Sequence, residues 1–505
     1  MIRPLAALCT LTALLALPGC QDEEEDPPAA LLAADAWRMP EDVAGAATDE
    51  DWIRLGWDSL IALDWPADNR WPEPGDGGRP DRTSTILAPG AAGRPVVWQT
   101  WLAPGQVFRE GGEDPGTWDA PALPFGSRPD PADPSRILPV LGRFEEKSIY
   151  FLDQEPAFGL SLYDLATTPN PVVDQLGNYL LFEVRLGRSE FEYFRRTGYY
   201  DAARQLEDTR DPARGFQYLP ETGDPELPDW ARHGAVEVKA SWRILDPAKD
   251  VVSRYYTTRA FYLRPDGEHA GPVTLGLVGL HVLRNTPRSR STWFWTTFEH
   301  VDNVAISERP VPLRPDGTLL SPSLNPGPAG DEPRYAFGFD LTGRFELPLL
   351  SDPAAYYNPV THPAMLARGD RVPRDPPDRP VDCSRVAPIR EPVRRLNEEY
   401  QAKLAGTPWR YYEMIDVLYP AADGLAEVRN TNETSWEPKK YASTPALINV
   451  TMETYLAYRY SNWSLDNCLS CHYDAEPRVP AGVYGAHVAA PQVFSFLYRR
   501  ATSRR

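Results

Sequence analysis

Nine consecutive residues, Val236-Glu237-Val238-Lys239-Ala240-Ser241-Trp242-Arg243-Ile244, alternate apolar and polar without a break. Successive side chains point to opposite sides only in an extended strand, so the run predicts one apolar and one polar face. A strand of that kind is half-buried and belongs to an antiparallel sheet. Residues 255–263, 273–283 and 293–298 follow as β-rich runs separated by turn residues. Four strands at such short spacing predict a meander, a sandwich or a partly closed barrel. Gly276 and Gly279 interrupt the third run. Glycine inside a strand marks a bulge or the close approach of another segment.

Proline divides the rest of the chain. There are 54 prolines in 505 residues, about twice the ordinary share, so long helices are few. Residues 104–139, 309–333 and 352–389 are dense enough in Pro or Gly to predict long irregular loops. Thr48 followed by Asp49-Glu50-Asp51 caps an apolar stripe of Trp52, Leu55, Leu60 and Ile61, which predicts an amphipathic helix. Residues 96–101 form a compact aromatic element, and residues 178–186 read as a strand. Ser189 is a candidate cap for a short helix to Phe194, with a second after Tyr200. Further on, residues 391–404 read as a helix ended by Gly406, and 409–418 as a strand. Thr444-Pro445 predicts a helix start, running to about Tyr458. The expected fold is α+β and β-rich, an antiparallel sheet body with short helices and a C-terminal helical and loop segment.

Both ends of the chain restrict where such a body works. Arg3 followed by an apolar run over residues 5–17 resembles an export signal and is too short to span a bilayer. It closes in Leu17-Pro18-Gly19-Cys20, the pattern of a bacterial lipobox, in which the cysteine is acylated and begins the mature chain; an ordinary secretory leader with an incidental cysteine is the alternative. Acyl chains on Cys20 would suffice for stable membrane attachment. The acidic Gln21-Asp22-Glu23-Glu24-Glu25-Asp26 then reads as a tether, and Gln21 favours the outer membrane, with the body facing periplasm or cell surface. The expected division is a leader over 1–19, a flexible tether over 20–47, a β-rich body over 48–389 and a C-terminal region over 390–505. The net charge of -19 argues against nucleic acid as a partner.

Near the other end stands Cys468-Leu469-Ser470-Cys471-His472, the C-x-x-C-H spacing of c-type haem attachment. Cysteines three apart can form thioethers to the two vinyl groups of one haem, and the next histidine then serves as the proximal iron ligand. A zinc site would need a second Cys or His pair, and the remaining cysteines are Cys9, Cys20 and Cys383. A thioredoxin-like pair would open a helix after a strand, whereas a polar stretch precedes this one. Covalent haem c, one per chain, is the expected cofactor, with Cys383 a buried thiol.

The iron's other side is less determined. Only 33 residues follow His472 and none is methionine, so the distal side is closed from upstream, by His487 or by solvent. Beyond the leader the methionines are Met39, Met365, Met414 and Met452. Met452 is the leading candidate because it precedes the pentad on the expected helix, although Ile448, Met452 and Tyr455 also form a packing face. His487, His281 and His300 are the further candidates, and Glu299, His300 and Asp302 form a polar cluster at a strand end.

Several segments together resemble a family of bacterial monohaem c-type cytochrome proteins. They are Trp65-Pro66 with Val97-Trp98-Gln99-Thr100-Trp101, residues 236–245 and 276–281, and Trp293 through Phe298-Glu299-His300-Val301-Asp302-Asn303-Val304. Leu396-Asn397, Gly406-Thr407-Pro408-Trp409, Thr451-Met452-Glu453-Thr454-Tyr455, the pentad and Phe494-Ser495-Phe496-Leu497 complete the set. The resemblance implies haem binding and placement outside the cytoplasm, and brings no defined substrate. The leading expectation is a lipid-anchored electron carrier docking redox partner proteins. The alternatives are a haem oxidoreductase or peroxidase using His300 with Glu299, and a haem-based redox or gas sensor.

Overall fold

The computed structural model describes residues 32–45, 47–68, 79–88, 94–121, 123–124, 126–142, 178, 180–210, 229–263, 269–286, 293–303, 338–339, 345–346, 389–420, 441–443, 447, 449, 451–452, 495, 497–498, 501 and 503. Thr48 caps α1 (Asp49–Leu63) as expected. The Thr48 hydroxyl accepts from the Asp51 N–H, and the Asp51 carboxylate accepts from the Thr48 N–H. The two bonds satisfy donors that the first helical turn leaves open. A short α2 (Pro104–Val107) follows.

The predicted irregular loop over 104–139 also contains a hairpin of β1 (Arg128–Asp130) and β2 (Asp133–Leu138). Its turn is made by carboxylates. Asp130 accepts from the Ala132 N–H and Asp133 from the Ser135 N–H, so side chains do the work that glycine does elsewhere.

The remaining elements are β3 (Val140–Leu141), β4 (Leu181–Leu186), α3 (Arg188–Thr197), α4 (Ala202–Arg210), α5 (Asp229–Arg232), β5 (Ala235–Ile244), β6 (Thr257–Leu263), β7 (His269–Asn285) and β8 (Phe294–His300). The two-residue β9 (Gly338–Phe339) and β10 (Phe345–Glu346) pair with each other. Then come α6 (Glu391–Lys403), β11 (Tyr412–Pro420) and β12 (Tyr441–Ser443). Gly187, rather than Ser189, stands at the N-cap of α3.

Eight strands make one sheet in the order β12-β11-β8-β7-β5-β4. β6 pairs with the first half of β7 and runs parallel to β3, and Gly142 bridges back to Phe182 of β4. That bridge brings β4, β5, β7, β6 and β3 round into a nearly closed barrel. The fold is therefore α+β with a strand-rich, barrel-like sheet, as the periodicity predicted. A bulge between Ser241 and Trp242 lies opposite Gly279 and Leu277, where the strand glycines predicted an irregularity.

The apolar face of the sheet carries Val238, Ala240 and Trp242 of β5, Leu280 and Val282 of β7, and Phe298 of β8, all fully buried. Trp57 of α1 packs edge-on against Phe298, and Trp98 lies 6.2 Å from Trp242. α1 approaches β8 and β11 closely enough that a Cβ on Gly56 would sit 2.7 Å from Met414 Cε. Asn397 of α6 locks the irregular start of β11: its amide donates to the Met414 carbonyl and its oxygen accepts from the Met414 N–H and from Trp57 Nε1.

Arg284 is the polar hub of this side. Burial pulls its guanidinium down to about 10, still charged at neutral pH. It donates to Ser59 Oγ of α1 at 2.8 Å and to the carbonyls of Pro40, Glu41 and His233. One side chain thereby ties β7 to α1, to the N-terminal arm and to the turn after α5. Arg284→Ala is expected to cost about 3 kcal/mol, because buried carbonyls lose their donor. The urea midpoint measures this, and faster amide exchange over residues 37–41 would report release of the arm. Lysine cannot span these acceptors and should not restore stability.

Candidate functional site

The polar residues of β5 are not solvent-facing. Glu237, Lys239, Ser241 and Arg243 are 3%, 8%, 0% and 3% exposed, so the half-buried strand expected from alternation is buried on both faces. Cross-strand register continues this second face onto β7, where Gly279 opposes Ser241 and His281 opposes Lys239. It reaches β8 at Thr297 and Glu299, then β11 at Glu413, opposite Glu299. His281, Thr297, Glu299 and Glu413 are all buried. A sheet face this rich in ionisable groups is costly to bury unless each is paired. Arg243, for one, donates to Asp250 at 2.8 Å. Such a face is a preorganised polar interior, and it is the candidate site.

A segment from the far C-terminal side covers its centre. Asn449 donates from Nδ2 to Thr297 Oγ1 and to the Phe298 carbonyl, each at 2.9 Å. Its oxygen accepts from the N–H and the hydroxyl of Thr451, and Thr451 Oγ1 lies 2.5 Å from Ser241 Oγ. The strap lies so close that a Cβ on Gly279 would stand 2.2 Å from Thr451 Oγ1. Gly279 is thus the glycine of close approach that the strand pattern predicted.

Met452 follows directly and is 6% exposed, with its N–H donating to the Asn449 carbonyl in a turn. The helix expected over 444–458 is not formed at Leu447, Asn449, Thr451 or Met452. The Asn449 side chain bonds the Thr451 backbone and the sheet, a local alternative that competes with helical hydrogen bonding. Met452 therefore comes from a turn laid on the polar face. Asn449 and Thr451 were not legible as site residues: their triplet reads as a glycosylation pattern, yet Asn449 is fully buried.

On the other flank of the pentad, Tyr498 donates to Tyr193 of α3 and accepts at its carbonyl from Gln205 of α4. Ser503 lies 2.5 Å from Asp201 and accepts from the Ala203 N–H. The chain before and after residues 453–494 is therefore seated on the body at both ends. Cys468, Cys471, His472, His487, Cys20 and Cys383 lie outside the described residues.

His300 takes a different role from the one considered for it. Nδ1 accepts from the Asp302 N–H at 3.1 Å, and Nε2 lies 3.0 Å from the Arg254 carbonyl, to which it donates. Both ring nitrogens are engaged, and the ring stacks on Tyr255 at 4.0 Å and 10°. Arg254 in turn pairs with Asp302. His300 is thus a satisfied core histidine, and neither nitrogen is open to a metal or a substrate. Met414 also leaves the distal candidates, because its side chain packs beneath α1. His281 and Met452 remain, the first on the polar face and the second joined to the strap that crosses it.

Burial lowers the His300 pKa to about 4. Between the unfolded value of about 6.5 and the folded value, the unfolded chain binds a proton that the folded protein refuses. Stability from this group is therefore complete above about pH 6.5 and lost as pH falls towards 4, by about 3 kcal/mol in all. Urea midpoints across that range should show the slope, and His300→Phe should flatten it.

Among the described residues no group of three His, Cys, Asp or Glu side chains is arranged to hold a metal, and no helix is long and apolar enough to cross a membrane. No family model, curated protein or solved structure matches this chain.

Proposed function

We propose that the chain is an exported, membrane-tethered monohaem c-type cytochrome that carries single electrons between redox partner proteins. Haem c would be held by thioethers at Cys468 and Cys471 with His472 as proximal ligand, and Cys20 would carry the lipid anchor. The observation that carries this reading is the C-x-x-C-H pentad itself, whose donor set matches covalent haem and lacks the second pair that zinc would require.

The body supports it in two ways. Described residues on either side of the pentad are seated on the body, Asn449 and Thr451 on the sheet and Tyr498 on α3 and α4. His281 and the Met452 strap share one buried polar face, so an upstream residue can serve where no methionine follows the pentad. His281 and Gly279 are two residues apart on one strand face, about 7 Å. A bound haem supplies a one-electron centre whose potential follows its distal ligand, burial and hydrogen bonding. The chain's own contribution would be to exclude water with the strap and to hold fixed charges beside the group. The engagement of both His300 nitrogens removes the acid–base residue that the peroxidase alternative required.

The test uses the full chain produced with a working cytochrome c maturation system. One covalent haem per chain by mass, and a reduced spectrum unchanged by carbon monoxide, are the expected results. Rapid carbon monoxide binding would favour an open-iron enzyme or sensor, and protein without haem would overturn the reading. Met452→Ala and His281→Ala separate the distal candidates, since only the ligand's loss should open the iron to carbon monoxide.

A further inference from the structure

A cavity of about 1070 Å³ lies away from the polar sheet face, between the N-terminal arm, α1, the start of α3 and the end of α6. Its size suits a molecule of a few tens of atoms, and ligand cavities combine apolar walls with few placed polar groups. Trp37, Trp101 and Trp118 supply flat apolar wall. Among the described lining residues seven are Arg or Lys against three Asp or Glu, the reverse of a chain whose net charge is -19.

Most of those charges have partners. Arg54 and Lys403 both bond Glu399, Arg188 pairs with Asp119, and the acid Asp58 accepts from the Tyr400 hydroxyl at 2.8 Å. Arg38 and Arg82 differ. Their guanidiniums sit 4.9 and 4.3 Å from the centre of the Trp37 ring, and among the described residues neither forms an ion pair with a carboxylate. Exposed arginines held over an indole keep their outward N–H groups free for an incoming anion. The ring is itself half-buried, so a second apolar body can lie along the wall that it begins.

We propose that this cavity is a binding site for an anionic amphipath, a small molecule with a flat apolar body and one acidic group, taken up by Trp37 with Arg38 and Arg82. The apolar body would be removed from water against the tryptophans. The acidic group, carboxylate, sulfonate or phosphate, would meet the two guanidiniums. This proposal stands apart from the haem reading, and either can fail alone.

The probe is 8-anilino-1-naphthalenesulfonate, titrated into the full-length protein with emission as the readout. One saturable site per chain is expected, with 2-naphthoate competing and inorganic phosphate not, because phosphate lacks an apolar body. Arg38→Glu with Arg82→Glu should weaken binding by about tenfold or more, while Trp37→Ala should weaken it several-fold. Nile red, uncharged, should bind both arginine variants alike. Arg82→Gln is a milder variant should the double reversal disturb folding, and it should still weaken the sulfonate. Non-saturable binding, or equal affinity in wild type and the arginine variants, would overturn the proposal.

Discussion

Under the haem proposal, replacing both Cys468 and Cys471 with serine is expected to abolish covalent attachment, giving an apoprotein whose mass is lower by one haem. The reason is chemical: each thioether needs a thiol to add across a vinyl group, and serine hydroxyls do not add. The single variants should differ from the double. With one thioether left, haem stays attached, and the remaining vinyl stays conjugated with the ring, which moves the reduced absorption bands to longer wavelength. His472→Ala should retain attachment while losing the proximal ligand, so carbon monoxide should then bind readily. Haem staining after denaturing electrophoresis measures attachment, and the reduced spectrum measures ligation. Retention of haem in the double serine variant would mean that the cofactor is held elsewhere or not covalently.

The second large effect is expected at Gly279. A Cβ there would meet Thr451 Oγ1 at 2.2 Å, Ser241 Oγ at 2.6 Å and Asn449 Oδ1 at 2.9 Å. These three atoms belong to one hydrogen-bond network, so none can retreat without breaking bonds to another. Gly279→Ala should therefore lift the strap from the sheet, at a cost of about 3–5 kcal/mol from overpacking and lost buried hydrogen bonds. Gly105→Ala is the control. Nothing lies within 4 Å of its added Cβ, and in a helical turn alanine should be neutral or slightly stabilising. Urea midpoints compare the two. A Gly279→Ala protein as stable as the parent would show that the strap is not held as described. Under the haem proposal with Met452 as distal ligand, Gly279→Ala should also expose the iron to carbon monoxide.

How much of this was legible in the chain varies with the range of the forces involved. α1 was legible to within a residue at its start because its signals, Thr48, Asp51 and the stripe from Trp52, lie within a few turns. The hairpin at 128–138 is not legible because its turn uses Asp130 and Asp133 side chains rather than Asn-Gly or Asp-Gly. The start of α3 was placed two residues late, since Ser189 is the better cap by type but Gly187 is held by its N–H bond to the Val236 carbonyl. Thr444-Pro445 and the apolar spacing around Met452 favour a helix by local preference. Asn449 overrides that preference by bonding a strand about 150 residues away.

The candidate site divides along the same line. The proposed haem-binding residues Cys468, Cys471 and His472 can be read from the chain alone, because covalent attachment would require them within five residues, whatever the surrounding fold. His300 and His281 are both strand histidines, and sequence could not separate them. Structure removes His300, because the Asp302 backbone and the Arg254 carbonyl occupy both of its nitrogens, and places His281 two residues from Gly279 on the polar face of β7.

By itself the sequence determined the alternation of residues 236–244, and with it that one side of β5 would be apolar and the other polar. Period-two geometry in an extended chain leaves no other outcome. Only the tertiary structure decided that the polar side is also interior. Burial depends on what lies across a strand, and here Asn449 and Thr451, from far downstream in the chain, settle onto Ser241 and Gly279. A surface that alternation alone would give to water thereby becomes a buried polar face beneath Asn449 and Thr451.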